Sequence, residues 1–310
     1  MKMKQFIYTF LTVSALFVTT LLTAQQLPHF SQYYLNDYML NPAVAGSRPW
    51  FEARSFHRYQ WEGVTDAPRT YTLSVMGPNK SLKYGLGGYM FTDNVGPTRR
   101  TGGALSYAYH LKLNSKMKLS FGLSAGILQF MVDASKITLR DDGDNLLTNG
   151  VQTDLLFDAG FGTYLYHEKF FFGFSAPQIL HNKIQFFNDV PQEGRLANHF
   201  FVTGGYNFDV TEKIRLIPSF FVKYVNPAPL QYDINLRAIY RKMVWISVSY
   251  RNLDALPISV GWNINENFML AYAYDMTTTN LKNYSTGTHE LMVGVKFHKV
   301  KSKSSAAKIE

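Results

Sequence analysis

The sequence predicts an all-β fold, a transmembrane antiparallel β-barrel of about 14 strands with short periplasmic turns and longer extracellular loops. Three observations predict it. The first is a two-residue period that recurs from 51 to 297. In the stretch 117–127, Met117, Leu119, Phe121, Leu123, Ala125 and Ile127 fall on one face, and Lys118, Ser120, Gly122, Ser124 and Gly126 on the other. A soluble sandwich buries its apolar face; here the opposite face is mostly Gly, Ser, Ala and scattered charge, as around a wet lumen. The second is that every second connection is short, the intervening ones including long loops. The third is an export leader with no second apolar stretch long enough for a spanning helix.

Elements follow in order. Residues 1–24 read as a signal peptide: Lys2 and Lys4, an apolar run over 6–22, then Thr23-Ala24 before Gln25. Residues 25–50, rich in Asn, Pro and Tyr, form a non-strand segment with a short helix near 33–40, long enough to enter and obstruct the lumen. The barrel proper spans 51–298. Its expected strands are 51–59, 70–76, 83–92, 102–112, 117–131, 154–166, 169–176, 200–209, 213–224, 233–240, 243–251, 257–263, 268–275 and 290–297. Short turns are expected at 77–80, 114–115, 167–168, 210–212, 241–242 and 265–266, and long loops at 133–153, 177–199 and 276–289. An even strand number places both termini in the periplasm. Pro218 lies within a strand and cannot donate to a ladder, so a bulge is expected there. The last strand closes on Phe297, like the C-terminal recognition strand of outer-membrane barrels. A basic tail, 299–310, follows it.

Composition narrows the function classes. The 310 residues include 20 Tyr and 24 Phe, consistent with aromatic girdles at two membrane interfaces. There is no Cys, hence no disulfide framework and no thiolate site. The formal charge of +9 falls to +7 once Lys2 and Lys4 leave with the leader, and no basic helix or RNA-binding signature accompanies it, which argues against nucleic acid as a partner.

Several stretches resemble one family. Residues 27–34 (LPHFSQYY) followed by 40–46 (LNPAVAG) resemble the opening of the PorP/SprF family, outer-membrane proteins of the Bacteroidetes type IX secretion and gliding machinery. Residues 58–61 with 67–70, 157–162, 172–177, 217–219, 223–224 and 233–235 extend the resemblance over nearly the whole mature chain. It implies a non-enzymatic barrel in the outer-membrane lipid, acting in export or surface attachment of secreted adhesin-type proteins and in gliding motility. Its partners would be the C-terminal region of a secreted protein or components of the secretion machine. A channel for small solutes is the alternative.

No catalytic constellation stands out, and no cofactor is expected. The eight His are dispersed, without zinc-ligand spacing. The acidic cluster 141–145 lacks the spacing of an EF-hand and reads as a solvated loop. A hydrolase would need a base beside a nucleophile, for which Asp158 and His110 are the residues to watch. Arg54, Arg58, Gln60 and Trp61, with Pro68, are the candidates for protein binding, since Arg and Trp dominate interfaces. Their plain alternative is an Arg pair in lumen water and a girdle Trp. Asn41, Pro42 and Gly46 are further candidates, with a structural turn or lumen contact as the alternative.

Overall fold

The computed structural model describes residues 27–137, 150–185 and 194–300. The expected signal peptide, the acidic cluster 141–145 and most of the basic tail lie outside the described residues. Fourteen antiparallel strands form one closed sheet. They are β1 (Trp50–Tyr59), β2 (Arg69–Pro78), β3 (Tyr84–Val95), β4 (Thr98–Lys112), β5 (Lys118–Asp133), β6 (Val151–Tyr166) and β7 (Phe170–Ala176). There follow β8 (His199–Tyr206, resuming as Phe208–Asp209), β9 (Ile214–Val225), β10 (Gln231–Tyr240) and β11 (Val244–Arg251). The last three are β12 (Ala255–Asn263), β13 (Phe268–Thr277) and β14 (Thr288–Lys299). Each strand pairs with the next, and β14 closes on β1, with Arg58 opposite Glu290 and Arg54 opposite Gly294. All fourteen expected strands are present. The largest boundary difference is in β4, which begins at Thr98 rather than 102.

The alternation does what a lipid-facing sheet requires. Leu105, Leu123, Phe157, Ile234, Val248 and Val260 project outward and remain exposed, while Ser106, Ser120, Asn235 and Ser249 on the opposite face are buried. Outward aromatics gather at both edges of this apolar belt. Tyr84 stacks on Tyr107 and Tyr206 lies against Phe208 at the short-turn end. Tyr59 meets Tyr71 and Phe200 stacks on Tyr224 at the other. Amphipathic rings belong at that depth, one end apolar and one end wet.

One expectation needs correction. Pro218 causes no bulge: the β8–β9 register is the same on both sides of it, with Ser219 opposite Gly205 and Leu216 opposite Phe208. The ladder simply lapses at Asn207, because the ring cannot donate while the other edge of β9 stays paired, Pro218 opposite Leu236. At the long-loop end, residues 96–97 and 252–254 are tight turns beside the longer loops.

The lumen is not a water-filled space. Residues 27–49 run inside it, as helix α1 (Asp37–Leu40) and a 3₁₀ turn (Pro42–Val44) joined by extended chain. Ser31, Gln32, Ala43 and Ala45 have no accessible surface at all. Phe30 and Leu35 join inward-facing Phe56, Trp245, Met269 and Met292 in an apolar cluster, so the barrel has a core on its inside. Strand parity fixes where β1 begins, at the short-turn rim. The segment then climbs, and Leu27 lies at the long-loop end. There its N–H donates to His199 Nε2 (3.1 Å) and its carbonyl accepts from Lys223 Nζ (3.1 Å).

Candidate functional site

The N-terminal segment and the wall that receives it form the most highly organised part of the molecule. Two ion-pair clusters anchor it. In the outer half, the Arg58 guanidinium bridges Asp275 (3.0 Å) and Glu290 (3.0 Å). Arg251 bridges Asp233 (3.0 Å), Asp254 (3.1 Å) and Asp275 (3.2 Å). All but Asp254 are almost wholly buried.

The segment enters this network with its own atoms. The Ser31 and Gln32 amides each donate to the Glu290 carboxylate (2.9 Å), Ser31 Oγ donates to Asp275 (2.6 Å), and Arg58 donates to Ser31 Oγ (2.8 Å). His29 Nε2 is 3.3 Å from Asp233 Oδ2. Burial, then the nearby Arg251, holds the His29 pKa well below its ordinary value, so the ring is neutral.

The second cluster lies toward the short-turn rim. Arg48 pairs with Asp37 and with Glu52 (2.6 Å), and Arg54 pairs with Glu52 (3.1 Å) and donates to the Leu35 carbonyl. Between the clusters, hydroxyls and rings take over. Tyr33 OH bonds Ser219 (3.0 Å), Tyr34 OH bonds Ser247 (2.6 Å) and Tyr38 OH bonds Ser106 (3.1 Å). Burial raises the Tyr38 hydroxyl to about 12. Arg237 lies over the Tyr34 ring, 4.6 Å from its centroid, and near Trp245.

On the opposite wall three glycines let the segment lie directly against the sheet. A Cβ on Gly122 would overlap Ala43, one on Gly85 would overlap Ala45, and one on Gly162 would overlap the Asn41 side chain. Gly46, at φ +70°, takes a left-handed turn while pressed against Gly85, a position that neither conformation nor space opens to another residue. Asn41 caps the 3₁₀ turn through Ala43 N (2.9 Å) and donates its amide to the Thr163 and Phe174 carbonyls.

The candidate residues therefore separate. Arg54 and Arg58 are turned inward and held by carboxylates, so they do not present a surface to a partner, nor do they sit in lumen water. Asn41, Pro42 and Gly46 line the same inner contact. Gln60, Trp61 and Pro68 lie in the loop between β1 and β2, half-buried, with Gln60 N bonded to Pro68 O and Trp61 N to Thr288 Oγ1. His110 and Asp158 do not meet: His110 bonds the Ala45 carbonyl and the Tyr166 hydroxyl, whereas Asp158 accepts from the amide of Ala159. Among the described residues no His, Asp and Glu cluster has the arrangement of a metal site.

Sequence reasoning missed Asp233, Arg251, Asp275 and Glu290, and it gave no role to Ser31 and Gln32. A signal was present. These four charges fall on the inward phase of their strands, where an isolated charge needs a partner. The stretches carrying the family resemblance, 27–34, 40–46, 217–219 and 233–235, are the same stretches that hold the segment in the wall.

Comparison with known proteins agrees with this architecture. No curated protein matches the chain. Among solved structures, the Ralstonia pickettii toluene transporter TbuX superposes with a TM-score of 0.51 at 11% identity, over 84% of this chain and 93% of that one. A Pseudomonas aeruginosa FadL homologue gives 0.47 at 10% identity, over 83% and 93%. At these identities the TbuX likeness concerns the fold, that of an outer-membrane β-barrel. The family model described as type IX secretion system membrane protein PorP/SprF matches residues 22–295. The chain thus belongs to the PorP/SprF family of type IX secretion system membrane proteins.

Proposed function

We propose that this barrel is a plugged, non-enzymatic scaffold of the type IX secretion system, serving the export or surface attachment of adhesin-type proteins and, through them, gliding. The observation that supports this reading is the segment 27–49, which is bonded to the wall at both ends of the lumen. A filling bonded at both ends closes the lumen to ions and stiffens both rims, as a scaffold requires. In this reading the short turns and Lys299 face the periplasm and machine components. The loops at 60–68, 177–185, 194–198 and 278–287 face outward and receive the C-terminal region of a secreted protein.

Planar-bilayer recording tests the plug: the intact chain stays silent, and steady conductance rejects the reading. Because the chain has no Cys, single cysteines test the orientation. An impermeant maleimide applied to whole cells labels Ser285→Cys and spares Ser81→Cys; the reverse pattern inverts the assignment. Pull-down from detergent-solubilised envelopes recovers a large adhesin or secretion-machine proteins if the scaffold role holds. One feature supports the solute-channel alternative: an apolar cavity between the segment and the wall, lined by Leu27, Phe30, Tyr89, Phe91, Leu128 and Phe201. Flux of small apolar solutes through reconstituted protein that carries no ionic current would favour that alternative.

A further inference from the structure

The apolar cavity beside the N-terminal segment holds a charge that an apolar solute would not need. Strand register builds the hollow. Tyr89, Ala104, Gly126 and Asp158 are successive partners across β3, β4, β5 and β6, and all four line the cavity. The large side chains stand at the two ends of this row, and the small ones between them let the wall recede. Phe91 and Leu128, one row nearer the long loops, bound the hollow with apolar surface. Phe30 and Met39 of the segment cover it from the lumen side.

Polar groups around this cavity lack partners. The Asp158 carboxylate accepts only from the amide of the next residue, Ala159 (2.8 Å), and forms no ion pair with a described residue. Other inward carboxylates behave differently: Glu52, Asp93, Asp233, Asp275 and Glu290 each face an arginine. Thr72 Oγ1 is buried at the cavity without a hydrogen bond. The buried Gln178 side chain and the Tyr89 hydroxyl also have no hydrogen-bond partner among the described residues. Buried polar groups are ordinarily bonded, and a carboxylate in apolar surroundings is costly without a cation. An ammonium ion supplies both a charge for Asp158 and N–H donors for oxygen acceptors. The cavity volume of about 80 Å³ is roughly half that of an apolar cavity that takes benzene, so it suits a chain of a few carbons. We propose that this cavity binds a small primary alkylammonium ion, with Asp158 as its counter-ion and Tyr89, Phe91 and Leu128 around its carbon chain.

The site stands or falls apart from the scaffold role, which bilayer recording and pull-down test. The probes are n-butylamine, a cation at neutral pH, and n-butanol, its uncharged counterpart. Saturation-transfer NMR on the intact chain in deuterated detergent reads their binding. The amine is expected to bind saturably and about tenfold more tightly than the alcohol. Asp158→Asn keeps the acceptor for Ala159 and removes the charge, so it weakens the amine about tenfold and leaves the alcohol unchanged. Ala104→Leu fills the hollow and abolishes binding of the amine. The heat-modifiable gel shift shows that each variant is folded, and Asp158→Asn keeps the test decisive if Ala104→Leu is not. No saturable binding of the amine, or equal affinity for amine and alcohol, overturns the proposal. So does an Asp158→Asn variant that holds the amine as tightly as the parent. Amine binding that survives in folded Ala104→Leu places the ligand elsewhere and overturns it as well.

Discussion

Two walls of the same lumen hold the N-terminal segment by opposite means. Along β3, β5 and β6 the wall recedes: Gly85, Gly122 and Gly162 leave room for Ala45, Ala43 and Asn41 to lie against the sheet. Along β1, β10, β11, β13 and β14 the wall reaches inward with Arg58, Asp233, Arg251, Asp275 and Glu290. A wall of close backbone contact is indifferent to pH and salt and fails when volume is added. A wall of buried charge tolerates small volume changes and fails when one partner is lost, because the remaining charge has neither water nor counter-ion. The difference teaches that docking has two independent modes of failure, each addressable by a single substitution.

The largest effect is expected on the charged wall. Arg58→Ala leaves the buried Glu290 without its cation and Asp275 with Arg251 alone, at a cost of about 3–5 kcal/mol. Thermal unfolding in detergent reads the loss, and bilayer recording shows whether the lumen opens. Adding Glu290→Gln to Arg58→Ala removes the stranded charge and recovers part of the stability. If the second substitution only deepens the loss, packing rather than charge sets that wall. On the other wall, Gly122→Val drives two branches into Ala43, costing about 3 kcal/mol. That loss is the same in low and high salt; a cost that varied with salt would mean the glycine wall is coupled to the charged one.

The contrast also explains what was legible in the sequence. The strands were, because lipid on one side imposes a strict period of two on residues such as Leu119 to Ile127. The polar inward phase was legible too, but not its filling. Gly122 and Ser124 read equally well as the lining of a water channel or as clearance for another piece of chain. Arg54 and Arg58 were read as interface residues for the same reason. An Arg on an inward phase has some partner, and for Arg58 nothing local says whether it is water, a foreign protein or residues 275 and 290. The Arg58 pairings join positions more than two hundred residues apart and exist only once the sheet closes. Pro218 taught a smaller lesson: a strand can lose one bond on one edge without inserting a residue.

A smaller effect is expected at Asn41, which caps the 3₁₀ turn where the segment lies against β6 and β7. Asn41 serves the segment through Ala43 N and the sheet through the Thr163 and Phe174 carbonyls. Asn41→Ala removes these bonds without adding volume or stranding a charge, at a cost of about 1–2 kcal/mol in melting experiments. Asn41→Asp separates the roles, since it keeps the acceptor for Ala43 and loses the amide donor. Equal loss in both variants would assign the whole effect to the sheet contacts.

The smallest effect is a pH dependence, and its sign is fixed by His29. The ring faces Asp233, Arg251 and Lys223, and burial followed by Arg251 depresses its pKa in the docked state. The undocked segment titrates near the ordinary 6.5. Above that pH both states are neutral and docking keeps its full strength. Below it the released segment takes up a proton that the docked segment refuses, so docking weakens by at most about 1.4 kcal/mol per pH unit. The weakening stops once the pH falls through the depressed pKa. His29→Gln preserves a donor towards Asp233 and removes the titration, so its melting profile from pH 7.5 to 5 lacks this slope while other carboxylate contributions remain. If wild type and His29→Gln show identical slopes, the histidine protonates in place and the Asp233 carboxylate offsets the two neighbouring cations. The charged wall would then be a buffer for the segment rather than a sensor of acid.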